Sequence, residues 1–138
     1  MADHTPPDRA PDLRTVAMPA DTNANGDIFG GWLLAQMDLA GGTYAIHVAR
    51  GRVATVAIEA MSFHRPVFVG DLVSCYCRTE RLGRTSLAVH VQTWVRRAHR
   101  GASGHEVQDL QVTEGVFTFV ALDENGVKRP LQPDSARS

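Results

Sequence analysis

The stretch Asn23-Ala-Asn-Gly-Asp-Ile-Phe-Gly30-Gly31-Trp-Leu-Leu-Ala-Gln-Met-Asp38-Leu-Ala-Gly41-Gly42 decides how this chain is read. Turn residues crowd its first half. The second half opens the longest apolar segment, which predicts one helix from Gly30 to about Val48, ended by Gly51. That helix is apolar on nearly every side, yet it carries the acid Asp38. Steps of about 100° per residue place Gly31, Ala35, Asp38, Gly42 and Ala45 on one stripe. All but the aspartate are small. A glycine inside a helix costs roughly 1 kcal/mol relative to alanine, so Gly41 and Gly42 predict close approach of another backbone. Asp38 is then expected at a contact between elements. A solvated acid and a buried acid held by a structural hydrogen bond are the plain readings. A functional carboxylate stands level with them, because perturbed acids gather at functional sites.

The front of the helix supplies a second group. Its first amides have no partner within the helix and sit at the positive end of the dipole. Gly30 and Gly31 leave those amides uncovered, so a carbonyl oxygen or oxyanion has a place to dock. A carbonyl polariser and a carboxylate on one helix suggest acyl-group chemistry. Seven residues separate Gly31 from Asp38, about 10 Å along the axis, too far for both to act on one carbonyl. Two antiparallel copies of the helix would bring Gly31 of one beside Asp38 of the other. A helix apolar all round also needs cover that one sheet does not supply, and a second copy of the chain supplies it.

After the helix the chain reads as strands, preceded by a short one over Leu13–Met18. Val53–Phe63 is β-branched and apolar, with Pro66 and Gly70 breaking it. Leu72–Thr79 alternates, and Leu82-Gly-Arg-Thr-Ser86 is a tight turn. Leu87 to Arg96 is the cleanest period-two run, 98–108 a polar loop, and Leu110–Leu122 the last strand. The fold class is α+β, with one central helix and four long strands meandering antiparallel. A loose arm (1–12), one domain (13–126) and a polar tail (127–138) make up the chain.

Composition narrows the function. The 138 residues suit one domain with a real core, and the net charge of -1 favours neither nucleic acid nor an anionic membrane. Lys128, the one lysine, lies too near the C-terminus for Schiff-base chemistry. Cys75 and Cys77 share a strand face and read as buried thiols. The histidines are scattered without metal spacing, so no metal and no cofactor are expected. No membrane-length run or signal-peptide pattern is present, which makes a cytoplasmic protein the expectation. Ser62 and His64, two apart on one strand face, read as surface decoration.

The pattern Asn23-x-x-Gly26-x-x-x-Gly30-Gly31, with an acid seven residues after the second glycine, resembles the hotdog-fold thioesterases. Pro19 to Trp32 is similar to the YciA-type acyl-CoA thioesterases. The likeness continues through Arg52–Phe63, Val69-Gly-Asp, Leu82-Gly-Arg-Thr-Ser and Val116-Phe-Thr-Phe-Val, over roughly residues 13 to 122. The resemblance implies a helix wrapped by a curved antiparallel sheet, a dimer with a continuous sheet, and a trimer of dimers. It implies hydrolysis of acyl-CoA thioesters, with coenzyme A as part of the substrate, and a place in fatty acid metabolism. Asp38 falls at the family's catalytic acid, as general base or nucleophile; Gly31 falls at the oxyanion donor and Asn23 at the polar positioner. An Asx-turn shaping its own loop is the equal reading of Asn23. Phe29 stands where the broader family often has histidine.

The phosphates of coenzyme A direct attention to Gly83, Arg84, Thr85 and Ser86, a turn with a charge, two hydroxyls and free amides. A plain solvated hairpin is the alternative. His64 and Arg65 are further candidates to meet the nucleotide, and Thr55 to line the acyl or pantetheine channel, with Gly30 beside the thioester. Arg96 and Arg97 read as strand-end solvation. The rival functions are a hotdog hydratase or dehydratase, which wants a histidine partnered with a carboxylate, and a non-catalytic acyl-CoA-binding module, which needs no helix acid.

Overall fold

The computed structural model describes residues 5–102 and 104–131. In chain order it forms β1 (Leu13–Val16), α1 (Gly30–Ala49), β2 (Val53–Phe63), β3 (Leu72–Leu82), β4 (Ser86–Gly101) and β5 (Gly104–Ala121). The strands make one antiparallel five-stranded sheet in the order β1-β3-β4-β5-β2. The expected long helix against a curved antiparallel sheet is the fold. The expected simple meander is not. Only β3, β4 and β5 follow one another, and β2 crosses to the far edge to pair with β5.

The core follows from period-two alternation. Val73, Cys75 and Cys77 of β3 and Leu87, Val89, Val91, Thr93 and Val95 of β4 are buried on one face, with Phe117, Phe119 and Ala121 of β5. Against that face α1 lays Leu33, Met37, Ala40, Ala45 and Val48. Of the two glycines Gly41 is explained here, by close approach of the sheet; a Cβ on Gly42 would meet Phe119 only at an ordinary 3.7 Å. A Cβ on Gly41 would lie 3.1 Å from Phe119 Cζ and 3.4 Å from Val91 Cγ2. The aromatic ring takes the space that a side chain would fill.

The polar loop expected over 98–108 is instead the tip of the β4–β5 hairpin. Pairing continues through Ala98↔Val107, His99↔Glu106 and Arg100↔His105. A two-stranded ribbon beyond the sheet is wet on both faces, so polar side chains do not oppose strand formation there.

The arm expected over 1–12 is tied down at its end: Asp12 Oδ2 accepts from Cys77 N at 2.7 Å, and Arg9 Nη2 donates to the Cys77 carbonyl at 2.6 Å. Residues 1–4 and 132–138 of the arm and tail lie outside the described residues. The described tail folds back, where Arg129 Nη2 donates to the Ala49 carbonyl at 2.9 Å. That guanidinium caps the negative end of α1. Among the described residues no helix is long and apolar enough to cross a membrane.

Candidate active site

The loop before α1 is built by Asn23. Its side-chain oxygen accepts from Asn25 N at 2.9 Å and Asp27 N at 3.1 Å. The Asx-turn reading is therefore realised, and that oxygen is committed to the loop. Phe29 is the extended N-cap residue, and its carbonyl takes the amides of Trp32 at 3.1 Å and Leu33 at 3.5 Å. The amides of Gly30 and Gly31 precede these and have no carbonyl within the helix to meet. Both glycines are exposed.

Beside Gly30 lies a cavity of about 300 Å³, walled by Leu33, Phe63 and Val67 and bordered by His64 and Arg65. His64 N and Arg65 N both donate to the Val112 carbonyl, and Arg65 Nη1 donates to the Gln111 carbonyl at 2.8 Å. These contacts pin the segment after β2 to the far end of the sheet.

Asp38 sits in the third turn of α1, half-buried. Its Oδ1 accepts from Thr55 Oγ1 at 2.7 Å. Thr55, expected as a channel wall, is thus a direct partner of the acid. It pairs in register with Phe119, next to Ser86↔Val120, so this end of the sheet also carries the 82–86 turn. In that turn Gly83 N donates to the Ser86 carbonyl at 2.7 Å, the Thr85 carbonyl accepts Ala121 N, and the Arg84 carbonyl accepts Leu131 N. The Arg84 side chain is in an exposed residue.

The residues singled out from the sequence therefore fall into two separate groups within one chain. Gly30, Gly31, His64 and Arg65 gather at the front of α1. Asp38, Thr55 and Gly83 to Ser86 make up the other. Neither group alone holds both a carbonyl polariser and an acid.

Two features escaped the sequence reading. Arg97, expected as a solvated strand end, donates through Nε and Nη2 to buried Asp71 at 2.9 and 2.7 Å. It also lies 4.5 Å over the Phe68 ring. The scattered histidines are partly gathered: Glu114 bonds His64 Nε2 and His90 Nε2, one on each oxygen, both at 3.0 Å. The hydrogen bond from His90, and then that from His64, hold the Glu114 carboxyl below the usual carboxylate range. Strand distance hid this cluster, because its members come from three separate segments. Among the described residues no group of three His, Cys, Asp or Glu is placed to hold a metal. The cysteines are free and buried, as expected. Burial pushes the Cys75 thiol up to about 11 and Cys77 further, so neither is a thiolate nucleophile near neutral pH.

A family model described as the thioesterase superfamily matches residues 25–101, more than half of the chain. The chain belongs to the thioesterase superfamily. This thioesterase is 51% identical over 119 residues to the acyl-CoA thioester hydrolase YciA of Salmonella typhimurium, covering 86% of this chain and 87% of the relative. Among solved structures it is similar to a hexameric hotdog-fold thioesterase of Campylobacter jejuni, at 38% identity and a TM-score of 0.86, covering 94% and 95% of the two chains. It is also similar to a hexameric broad-specificity acyl-coenzyme A thioesterase, at 45% identity and a TM-score of 0.82, covering 94% and 86%. The resemblance read from the motifs is borne out by these matches, and so is the hotdog fold.

Proposed function

We propose that this thioesterase hydrolyses acyl-CoA thioesters to a carboxylic acid and coenzyme A in a site shared by two copies of the chain. The observation that carries the reading is the separation of the two half-sites within one protomer. Antiparallel apposition of two α1 helices brings the Gly30–Gly31 amides of one protomer beside Asp38 and Thr55 of its mate. The exposed surface favours such a pair. Leu39 and Ile46 on α1 are 58% and 50% exposed, and Val56 and Ile58 on β2, the edge strand beyond β5, are 55% and 45% exposed. An apolar, eleven-residue free edge invites pairing with another strand. A homodimer, and a trimer of dimers as in the hexameric relatives, is the proposed assembly.

In this site the thioester carbonyl oxygen docks on the Gly31 amide, which stabilises the oxyanion as the carbon becomes tetrahedral. Asp38 either takes a proton from the attacking water or attacks the carbon itself to form a mixed anhydride. The C–S bond then breaks and the sulfur leaves as the thiol of coenzyme A, taking the proton that Asp38 removed from water. In the covalent route water supplies that proton, and a second water then cleaves the anhydride to release the acid and restore Asp38. Thr55 holds one oxygen of Asp38, which leaves the other to act. The turn from Gly83 to Ser86 is proposed to meet the phosphates. A hydratase finds less support, since the carboxylate that meets histidine is Glu114, on the face of the sheet turned away from α1. A binding module leaves the Asp38–Thr55 pair without a task.

The test is release of free thiol from acyl-CoAs of graded chain length. Binding of the thioesters without release would leave the binding-module reading standing and end this one.

A further inference from the structure

The turn between β3 and β4 is held from outside the hairpin that it closes. Across the hairpin Gly83 N donates to the Ser86 carbonyl at 2.7 Å, and Leu82 pairs with Leu87. A tight hairpin closes on bonds of this kind alone. Yet two further carbonyls of the turn are taken by donors from elsewhere. The Thr85 carbonyl accepts Ala121 N at 2.8 Å, and the Arg84 carbonyl accepts Leu131 N at 2.9 Å.

The second donor comes from the segment after β5, which is built to reach it. Asp123 Oδ1 accepts Asn125 N and Val127 N, both at 2.9 Å, and Gly126 takes the left-handed φ of 79°. The chain therefore reverses, and a bridge between Leu122 and Lys128 brings it back beside the end of β5. There Arg129 N donates to the Ala121 carbonyl at 3.0 Å. The Arg129 guanidinium joins two elements: Nε donates to the Leu122 carbonyl and Nη2 to the Ala49 carbonyl, each at 2.9 Å. Gly51 leaves the room for it, since a Cβ there would stand 2.7 Å from Nη2. Two residues on, Leu131 packs against the core and its amide reaches Arg84.

What remains free is the donor side of the turn. The Arg84 guanidinium and the Thr85 and Ser86 hydroxyls have no hydrogen-bond partner among the described residues. Carbonyl oxygens repel phosphate oxygens, so tying two of them to amides leaves an anion to meet the guanidinium and the hydroxyls. Holding the turn in one place also spares an incoming ligand the entropy cost of ordering a loop.

We propose that the segment Val127–Leu131 is a strap that presets the Gly83–Ser86 turn for the phosphates of coenzyme A. Arg129 is its anchor, and the Leu131 N–H is its positioning contact on the turn. The proposal rests on the reading of that turn as the phosphate contact. The strap makes no hydrogen bond to Asp38 or Thr55, so it acts on binding of the nucleotide and not on the attack at the thioester.

The test compares one acyl group carried on coenzyme A with the same group on pantetheine, which lacks the nucleotide and its phosphates. Leu131→Pro removes the N–H that meets Arg84, and Leu131→Ala keeps it. Leu131→Pro is expected to raise KM for the acyl-CoA by about three- to tenfold, the loss of one hydrogen bond. Its kcat is expected to hold, and its kinetics on the pantetheine thioester to match the wild type. Leu131→Ala is expected to stay near the wild type on both substrates. Arg129→Gln, which loosens the anchor without adding a proline, is expected to shift KM in the same direction. Equal losses on both substrates would make the strap a support of the fold and overturn the proposal. So would a Leu131→Ala as impaired as Leu131→Pro, since the side chain would then be responsible. Arg84→Ala separates the two readings. If it raises KM for acyl-CoA while Leu131→Pro and Arg129→Gln do not, the turn meets the phosphates and the strap is overturned alone. If none of the three raises it, both readings fall.

Discussion

Thr55 Oγ1 donates to Asp38 Oδ1 at 2.7 Å, joining the start of β2 to the third turn of α1. The bond fixes one carboxylate oxygen of a half-buried acid and leaves the second to meet a ligand. Asp38→Asn is expected to lower turnover of acyl-CoA by a hundredfold or more, about what loss of a general base costs. Thr55→Ala is expected to lower it by about tenfold, a typical loss for one hydrogen bond to a charged group, and Thr55→Ser to restore most of it. Thiol release measures the rates, and circular dichroism checks that the fold is kept. Wild-type turnover in Asp38→Asn would remove the acid from the mechanism.

Phe119 and Gly41 are in contact so close that a Cβ at 41 would stand 3.1 Å from the ring. Gly41→Leu forces the ring or the helix to move and is expected to destabilise the chain by about 2 kcal/mol despite leucine's better helix propensity. Urea unfolding of Gly41→Leu beside the wild type reads this as a lower midpoint. An unchanged midpoint would mean that the core yields at this point without cost.

Asp71 and Arg97 form an ion pair whose carboxylate side chain is 3% exposed. Removing one partner strands the other, so Arg97→Met is expected to cost about 3 kcal/mol. Asp71→Asn with Arg97→Met together is expected to cost less than the sum of the two. A double-mutant cycle in urea measures the coupling. Strict additivity would reduce the pair to surface decoration.

Glu114 carries the pH dependence. Its folded carboxyl is held below the ordinary range by His90 and His64, so the folded state binds fewer protons there than the unfolded chain. The resulting stability is whole above the unfolded carboxylate value and is lost as pH falls through the lowered folded one. Acid unfolding followed by tryptophan fluorescence is expected to show a smaller drop in midpoint with acidification for Glu114→Gln than for the wild type. Parallel curves would mean that the two histidines do nothing for the carboxyl.

Much of the fold was legible because it depends on local pattern. Helix α1 runs from Gly30 to Ala49 as its apolar segment predicts, and Val53–Phe63 is the strand expected. Alternation in 87–95 put the correct residues inward. The hairpin tip was misread because polar residues between two strands look like a loop, and only the pairing partner shows that they remain in the ladder. The placement of β2 beyond β5 was hidden because strand order depends on which edges meet, not on the order of strands in the chain.

The candidate site divides in the same way. Gly30, Gly31 and Asp38 stood out from one short segment, since a helix start and a seven-residue spacing are local facts. Thr55 was picked out without its bond to Asp38. The linkage of His64, Glu114 and His90, and that of Arg97 with Asp71, could not be read at all: their partners are 50, 24 and 26 residues apart in the chain. Sequence periodicity by itself determined the helix, the strand faces and the acid that the helix carries, because each arises from neighbours within a turn or two. Tertiary structure alone decided which strand lies at the open edge, what fills the space over Gly41, and that Thr55 meets the acid. Those outcomes arise from packing between segments remote in sequence, where the side-chain volumes and hydrogen-bonding groups of both partners must be satisfied at once.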